Sequence, residues 1–382
     1  MTENISIKKI IKTDSTLDIL WNDNQKSNFH FMWLRDNCPT AHDKDTRHRM
    51  FNILKVSKSI NPKEYSIKED GKLKIEWSEG NHISYYEPNW LRNNCYTIKN
   101  KKPYISPYKL WNHSLQNDLN KISIDHNEII NTDEALIRWL ELLHEYGISI
   151  VKNAPTEKNS LFPVLNRISH TRETFFKTPF EVINIVKKPN NSAYTAHALR
   201  NHLDLPYFET PPGYQFLHCL INNSEGGMSS AVDGFAVAEY LRKNEKDVFD
   251  ILTRVPLIWK DNDWTQETIR IAHSTPITLT KDKDYNDIRF SVANMDALDC
   301  HPNIMEQVYE AHHKFGTLLH DDKFNIKFNL EPGDIFSFNN RRVLHGRTAF
   351  NPNSGNRHLQ GYYMDRDEII GRLNFFKDKK NK

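Results

Sequence analysis

Short apolar and alternating runs dominate this chain and predict a mainly β protein flanked by helices. Tyr214 to Leu220 reads YQFLHCL, a continuous aromatic and aliphatic run that follows Pro211-Pro212-Gly213, as a buried strand bounded by turn residues does. Ile335 to Phe338 alternates after the turn signal Pro332-Gly333-Asp334. Ile148 to Val151 and the shorter, polar-flanked Lys72 to Trp77 and His82 to Tyr86 read as further strands. Helical spacing is clearest after Thr132. That residue caps a segment opening on Asp133-Glu134, acids suited to the positive end of a helix. Leu136, Trp139, Leu140 and Leu143 then line one apolar face until Gly147 ends it. Further helices are predicted over Phe162–Ile168, Val237–Lys243 and Asn303–Leu319.

The pattern changes along the chain and divides it. Residues 1–100 read as a small β-rich N-terminal domain, 101–125 as a linker containing Pro103 and Pro107 with little periodicity, and 126–382 as the larger domain. The hexapeptide WLRDNC at 33–38 is echoed by WLRNNC at 90–95, but the flanks differ and the echo is not read as a repeat. Net charge is +2 over 382 residues and no basic stripe with interleaved aromatics stands out, so nucleic acid is not an expected partner. The start, MTENISIKKI, lacks the apolar run of a signal peptide, and no stretch is long enough to span a bilayer. No membrane association and a cytoplasmic location are expected. Cys38, Cys95, Cys219 and Cys300 are widely scattered, which suits a reducing compartment better than a disulfide framework.

His202-Leu203-Asp204, a distant His345 and Arg357 shortly beyond it carry the chemistry. Two imidazoles and one carboxylate leave coordination positions open, a ligand set that suits non-haem Fe(II) with room for a co-substrate and O₂. A chain this rich in His and Asp should contain about one H-x-D tripeptide by chance, and a second stands at His320-Asp321-Asp322. His320 closes the helical segment Met305 to Leu319 and reads as a cation at a helix C-terminus, whereas His202 lies just before a strand. Arg357 follows His345 after a loop containing Asn351, Pro352, Asn353, Ser354 and Gly355, and two strands joined by that loop would bring them together. A guanidinium is the partner that the distal carboxylate of 2-oxoglutarate needs in a dry pocket. Arg347 is the rival. Two residues from a metal ligand, it stands too near the metal for a full 2-oxoglutarate length, which leaves it a structural ion pair or a secondary co-substrate contact.

Four ordered segments carry a resemblance: HLDLPYFETPPGYQFLHCL (202–220), GGMSSAVDGFAVAE (226–239), EPGDIFSFNNRRVLHGRTAF (331–350) and RHLQGYYMDRDEI (357–369). They resemble the gamma-butyrobetaine hydroxylases, bacterial forms above all, within the taurine-dioxygenase-like Fe(II)/2-oxoglutarate oxygenases. The likeness runs from about Phe31 to the C-terminus, and the trimethyllysine hydroxylases are close relatives. It implies a mainly β fold with flanking helices, built on a double-stranded β-helix (jelly-roll) core. It further implies His202, Asp204 and His345 as Fe(II) ligands, Arg357 with Ser229 and secondarily Arg347 on 2-oxoglutarate, O₂ as oxidant, ascorbate as reductant, and a homodimer. The family motif before Ser229 reads GGDS or GGDT, and Met228 replaces the acid here. Many members bind zinc in the N-terminal module. Here Cys38 and His82 match, Thr40 and Asp43 stand at the other two ligand positions, and His42 is out of step. Structural zinc prefers four thiolate or imidazole ligands, so zinc stays an open question.

The same resemblance implies hydroxylation of gamma-butyrobetaine at C3 to L-carnitine, with succinate and CO₂ released; trimethyllysine or another small betaine is the alternative substrate. A trimethylammonium group has no hydrogen-bond donor, so only ring faces and shape can grip it. Phe176, Phe180, Tyr194 and Tyr363 match the family's cage, Asn191 matches a residue that holds the substrate carboxylate, and Leu205 stands where some animal forms have Tyr. Two other classes stay in view. A zinc hydrolase could use the same three ligands but leaves Arg357 without a purpose, and a metal-free cupin-like binding protein needs neither Asp204 nor Arg357.

Overall fold

A computed structural model of the chain describes residues 5–97, 107–183 and 195–380, which leaves Asn191 and Tyr194 outside the described residues. The chain forms two compact units, Met1–Pro103 and Tyr104–Lys382.

In the first unit, β1 (Ile7–Lys12), β2 (Thr16–Trp21) and β3 (Lys26–His30) make a three-stranded antiparallel sheet that runs into α1 (Phe31–Asp36). The pattern then recurs: β4 (Pro62–Ile67), β5 (Leu73–Trp77) and β6 (Ile83–Tyr86) make a second such sheet that leads to α2 (Pro88–Asn94). Leu17, Ile19 and Trp21 of β2 have buried counterparts in Leu73, Ile75 and Trp77 of β5. The Trp21 indole donates to Ser27 Oγ at 2.6 Å, and the Trp77 indole donates to Ser84 Oγ at 2.8 Å. The Asn37 amide donates to Trp33 O at 2.9 Å and the Asn94 amide to Trp90 O at 2.8 Å. Trp33 and Trp90 meet with their ring centroids 5.8 Å apart. The two hexapeptides therefore hold equivalent places in a repeated three-strand-and-helix unit, which corrects the reading of their echo. The flanks misled because most of the outward positions differ between the halves, whereas the buried Leu, Ile and Trp and the indole's partner are held by packing and hydrogen bonding.

The second unit opens with β7 (Ser123–Asp125), α3 (His126–Asn131), α4 (Asp133–Glu145), β8 (Ile148–Lys152), α5 (Phe162–Asn166), β9 (Phe180–Ile183) and β10 (Leu199–His202). It continues through β11 (Tyr214–Asn222), β12 (Ser229–Asp233), α6 (Gly234–Asn244) and α7 (Lys246–Arg254) to the hairpins β13 (Leu257–Asp263) with β14 (Thr268–Ser274) and β15 (Ile277–Leu279) with β16 (Tyr285–Ile288). Last come α8 (Met305–Leu319), β17 (Asn325–Phe328), β18 (Ile335–Asn339), β19 (Val343–Arg347), β20 (Arg357–Met364) and α9 (Arg366–Lys380). The strands assemble into a six-stranded sheet ordered β7-β8-β18-β11-β20-β9 and a four-stranded sheet ordered β10-β19-β12-β17. Ile150, Cys219, Phe336, Phe338 and Leu359 of the larger sheet pack with Ala231, Val343, Ile326 and Phe328 of the smaller, so a core lies between the two.

Helices close the outer faces. Leu136, Trp139, Leu140 and Leu143 of α4, with Ile369, Leu373 and Phe376 of α9, cover Phe216, Ile335 and Tyr362 of the larger sheet. The Thr132 hydroxyl accepts from Ala135 N at 3.2 Å and caps α4 as its sequence predicts. On the smaller sheet, Val232 and Leu344 pack under residues of α6, α7 and α8. The linker expected over 101–125 needs correction where it is described. The Trp111 indole donates to Tyr146 O at 2.7 Å, and Leu115 and Ile122 are buried in the core between the sheets. Too few apolar residues fall there for periodicity to show, yet Trp111, Leu115 and Ile122 are buried. Among the described residues no helix is long and apolar enough to cross a membrane.

Candidate active site

The β10–β19 pair builds the metal donor set. His202 pairs with His345 and Leu199 with Arg347, so β10 carries one extra residue between those pairs, a bulge of the kind that re-aims a side chain. On its other edge β19 sets Ala231 of β12 opposite His345. The turn after β10 is tied at several points. Leu203 N donates to Phe290 O at 2.9 Å, and the Asn340 side chain accepts from Asp204 N at 3.0 Å while donating to Asp204 O at 3.1 Å. Leu205 then takes the left-handed backbone conformation, with φ of 57°.

Three donor atoms converge as a result. His202 Nδ1 donates to Arg200 O at 2.8 Å, which directs Nε2 toward Asp204 Oδ1 at 3.2 Å. His345 Nε2 lies 3.8 Å from the same oxygen. One ligand atom from each residue lies within 4.8 Å of the others, and no other group of three or more His, Cys, Asp or Glu does so among the described residues. Burial works to raise the Asp204 carboxyl, but the His345 and His202 imidazoles and the Tyr363 hydroxyl outweigh it and hold the acid below the usual carboxylate range. Burial, with His202 beside it, pushes His345 down. An ionised carboxylate, a neutral imidazole and a second imidazole held in a fixed direction fit a divalent cation. His320 stands apart. It caps the end of α8 with Nδ1 2.7 Å from Gly316 O, as its helical context predicts.

Two pockets share the walls Phe180, Val182, Leu199, His202 and Asp204. The smaller, about 80 Å³, runs toward Ser229, Arg347 and Arg357, and Asp204 is the one acid in its lining among the described residues. Burial, joined for Arg347 by the second guanidinium nearby, pulls both arginines down to about 10, which leaves them cationic at neutral pH. Arg347 donates to Thr195 O at 2.7 Å and His197 O at 3.0 Å, so its hydrogen-bond partners among the described residues are carbonyls rather than an acid. Its Nε and the Gln215 side-chain oxygen are buried without a hydrogen-bond partner, as expected of groups that await a polar ligand. The loop between His345 and Arg357 joins two strands and brings both residues to this pocket, as expected. It does so by crossing from the smaller sheet to the larger.

The larger pocket, about 590 Å³, takes in Phe176, Phe180, Leu205, Tyr207, Asp261, Ser291, Asn294 and Tyr363. Phe180 stacks on Tyr363 with centroids 5.0 Å apart, and Phe176 lies 6.1 Å from Phe180, so three of the four predicted cage residues stand together. The fourth, Tyr194, and Asn191 lie outside the described residues. Several lining residues were not anticipated. Tyr207 sits inside the quoted 202–220 motif and could have been found there. Asp261 on β13 carries no local signal and reaches the pocket only through the hairpin's placement. In the N-terminal unit, Cys38 Sγ lies 3.3 Å from His82 Nε2 and 3.1 Å from Thr40 Oγ1. No third zinc-type ligand completes a cluster among the described residues.

The comparisons with known proteins agree with this geometry. The family described as "Taurine catabolism dioxygenase TauD, TfdA family" matches residues 111–363, and "Gamma-butyrobetaine hydroxylase-like, N-terminal" matches residues 8–92. The chain is 35% identical to a gamma-butyrobetaine dioxygenase of Pseudomonas sp. (strain AK-1), over 94% of this chain and 93% of that one. It is 30% identical to the mitochondrial trimethyllysine dioxygenase of Rattus norvegicus, over 90% of this chain and 81% of that one. Among solved structures, AAD-2 in complex with Mn(II) and N-oxalylglycine is similar in fold, with a TM-score of 0.50 at 11% identity over 63% of this chain and 93% of that one. With the family match spanning most of the chain, the hydrolase and binding-protein readings fall away: the chain belongs to the TauD, TfdA dioxygenase family.

Proposed function

We propose that this enzyme hydroxylates gamma-butyrobetaine at C3 to L-carnitine, converting one 2-oxoglutarate and one O₂ to succinate and CO₂ with the second oxygen atom entering the product. The observation that carries the reading is the convergence of two chemically opposite pockets on one donor set, a ring-lined cavity on one side and a doubly cationic pocket on the other. His202, Asp204 and His345 would hold Fe(II), which when bound supplies oxygen activation and C–H oxidation. Arg357 would take the distal carboxylate of 2-oxoglutarate by paired charge-assisted hydrogen bonds, with Ser229 and Arg347 beside it. Phe176, Phe180 and Tyr363, joined by Tyr194 on the strength of the resemblance, would bind the trimethylammonium by cation–π attraction and shape, and Asn191 would take the substrate carboxylate. Phe180, Val182 and Leu199, shared by both pockets, keep water from the reacting centre. The strands that carry these groups are divided between two facing sheets, β10, β12 and β19 in the smaller and β9 and β20 in the larger, which supports the double-stranded β-helix reading.

Trimethyllysine is the second reading. Asp261 places a carboxylate in the larger pocket, where it would meet the α-ammonium group that trimethyllysine has and gamma-butyrobetaine lacks. A homodimer, a cytoplasmic location and ascorbate as reductant belong to the same proposal and rest on the resemblance. Incubating the protein with Fe(II), 2-oxoglutarate, ascorbate and each substrate in turn, then reading products by mass, decides the matter. Carnitine with matching succinate supports the first reading, and a hydroxylated trimethyllysine without carnitine overturns it.

A further inference from the structure

Tyr363 touches more than the ring cluster. Its hydroxyl donates to Asp204 Oδ2 at 2.6 Å, while the other oxygen of the same carboxylate, Oδ1, faces His202 Nε2 at 3.2 Å and His345 Nε2 at 3.8 Å. The two oxygens are thus turned to different tasks. Tyr363 lies on β20, its register partner across β11 is Gln215, and its ring is packed against Phe180, so the hydroxyl is delivered by a buried, two-sided contact rather than by a mobile side chain. A carboxylate free at both oxygens can rotate and chelate a cation through both; one whose second oxygen accepts a short hydrogen bond presents a single donor in a fixed direction. Resting on the metal-site reading above, we infer that Tyr363 is a positioning residue for the metal. Its hydroxyl holds Asp204 as a one-oxygen ligand and keeps coordination positions open, while its ring belongs to the substrate cavity.

The test uses Co(II) as the probe on the full-length apo-protein, by competition with a metallochromic chelator and by the Co(II) d–d absorption spectrum. Tyr363→Phe keeps the ring and its stacking and removes one hydroxyl, and should weaken Co(II) binding about tenfold, the scale of losing an outer hydrogen bond to a ligand. The spectrum should shift as the carboxylate changes its mode of attachment. Tyr362→Phe removes a hydroxyl from the neighbouring residue of the same strand, where it faces Gln360 rather than Asp204, and should leave Co(II) affinity and spectrum at parent values. Unchanged affinity and spectrum in Tyr363→Phe overturns the inference, and so does an equal loss in Tyr362→Phe, which would reduce the effect to packing. Asp204→Ala separates the two levels. If the parent binds Co(II) no better than Asp204→Ala, the metal-site reading itself fails and takes this inference with it.

Discussion

Gly361 of β20 lies directly opposite Phe180 of β9, and a Cβ added at Gly361 would come within 1.9 Å of the Phe180 ring. The ring can lie across the sheet toward Tyr363 only because that position has no side chain. Gly361→Ala should therefore displace Phe180, destabilise the protein by roughly 1–3 kcal/mol as overpacking does, and weaken binding of the quaternary ammonium substrate. Thermal denaturation together with the KM for gamma-butyrobetaine checks it. A fully stable variant with unchanged KM would show that the ring is not held there.

His202→Ala, Asp204→Ala and His345→Ala should each abolish turnover and Fe(II) binding with the fold retained, since three protein ligands leave little redundancy. His320→Ala is the control, because His320 sits at the end of α8 and outside the donor set. Circular dichroism with metal analysis and succinate release reads both, and an inactive His320 variant beside an active His202 variant would mean the wrong dyad.

Arg357→Ala should raise the 2-oxoglutarate concentration for half-maximal rate by at least about tenfold, and the range for removing one partner of a buried charge pair, roughly 2–5 kcal/mol, allows far more. Arg347→Ala should cost less, because Arg347 is already engaged with Thr195 O and His197 O. A larger penalty at Arg347 would reverse the assignment of the two guanidiniums.

If the rings act as a cation cage, replacing the trimethylammonium by its neutral tert-butyl counterpart should weaken binding by about 1–2 kcal/mol. Phe180→Leu should erase part of that difference while uncoupled 2-oxoglutarate turnover continues. Inhibition constants for the charged and neutral analogues measure it, and equal values would make the rings plain apolar walls.

The repeat in the N-terminal unit makes its own prediction. Ser27→Ala and Ser84→Ala each leave a buried indole N–H without its acceptor, so each should destabilise that unit by about 1–3 kcal/mol, and by similar amounts. Denaturant melts of the two variants test the equivalence. A large loss in one and none in the other would argue that the halves carry unlike loads.

The sequence by itself determined the metal donor set, because H-x-D before a buried strand and His345 after an alternating one are local signals that need no neighbour to be read. It determined the capped helix after Thr132 for the same reason, since capping and a 3.6-residue apolar period act within one element. Only the tertiary structure decided that β10 bulges so His202 meets His345, that Arg347 and Arg357 share a pocket although their strands lie in different sheets, and that Asp261 joins the larger cavity. It alone revealed the repeated N-terminal fold beneath unlike flanks, and the Tyr363 hydroxyl on Asp204. The physical reason is common to all of these. Register, sheet order and the meeting of side chains more than 100 residues apart depend on long-range packing, to which no local propensity or spacing responds.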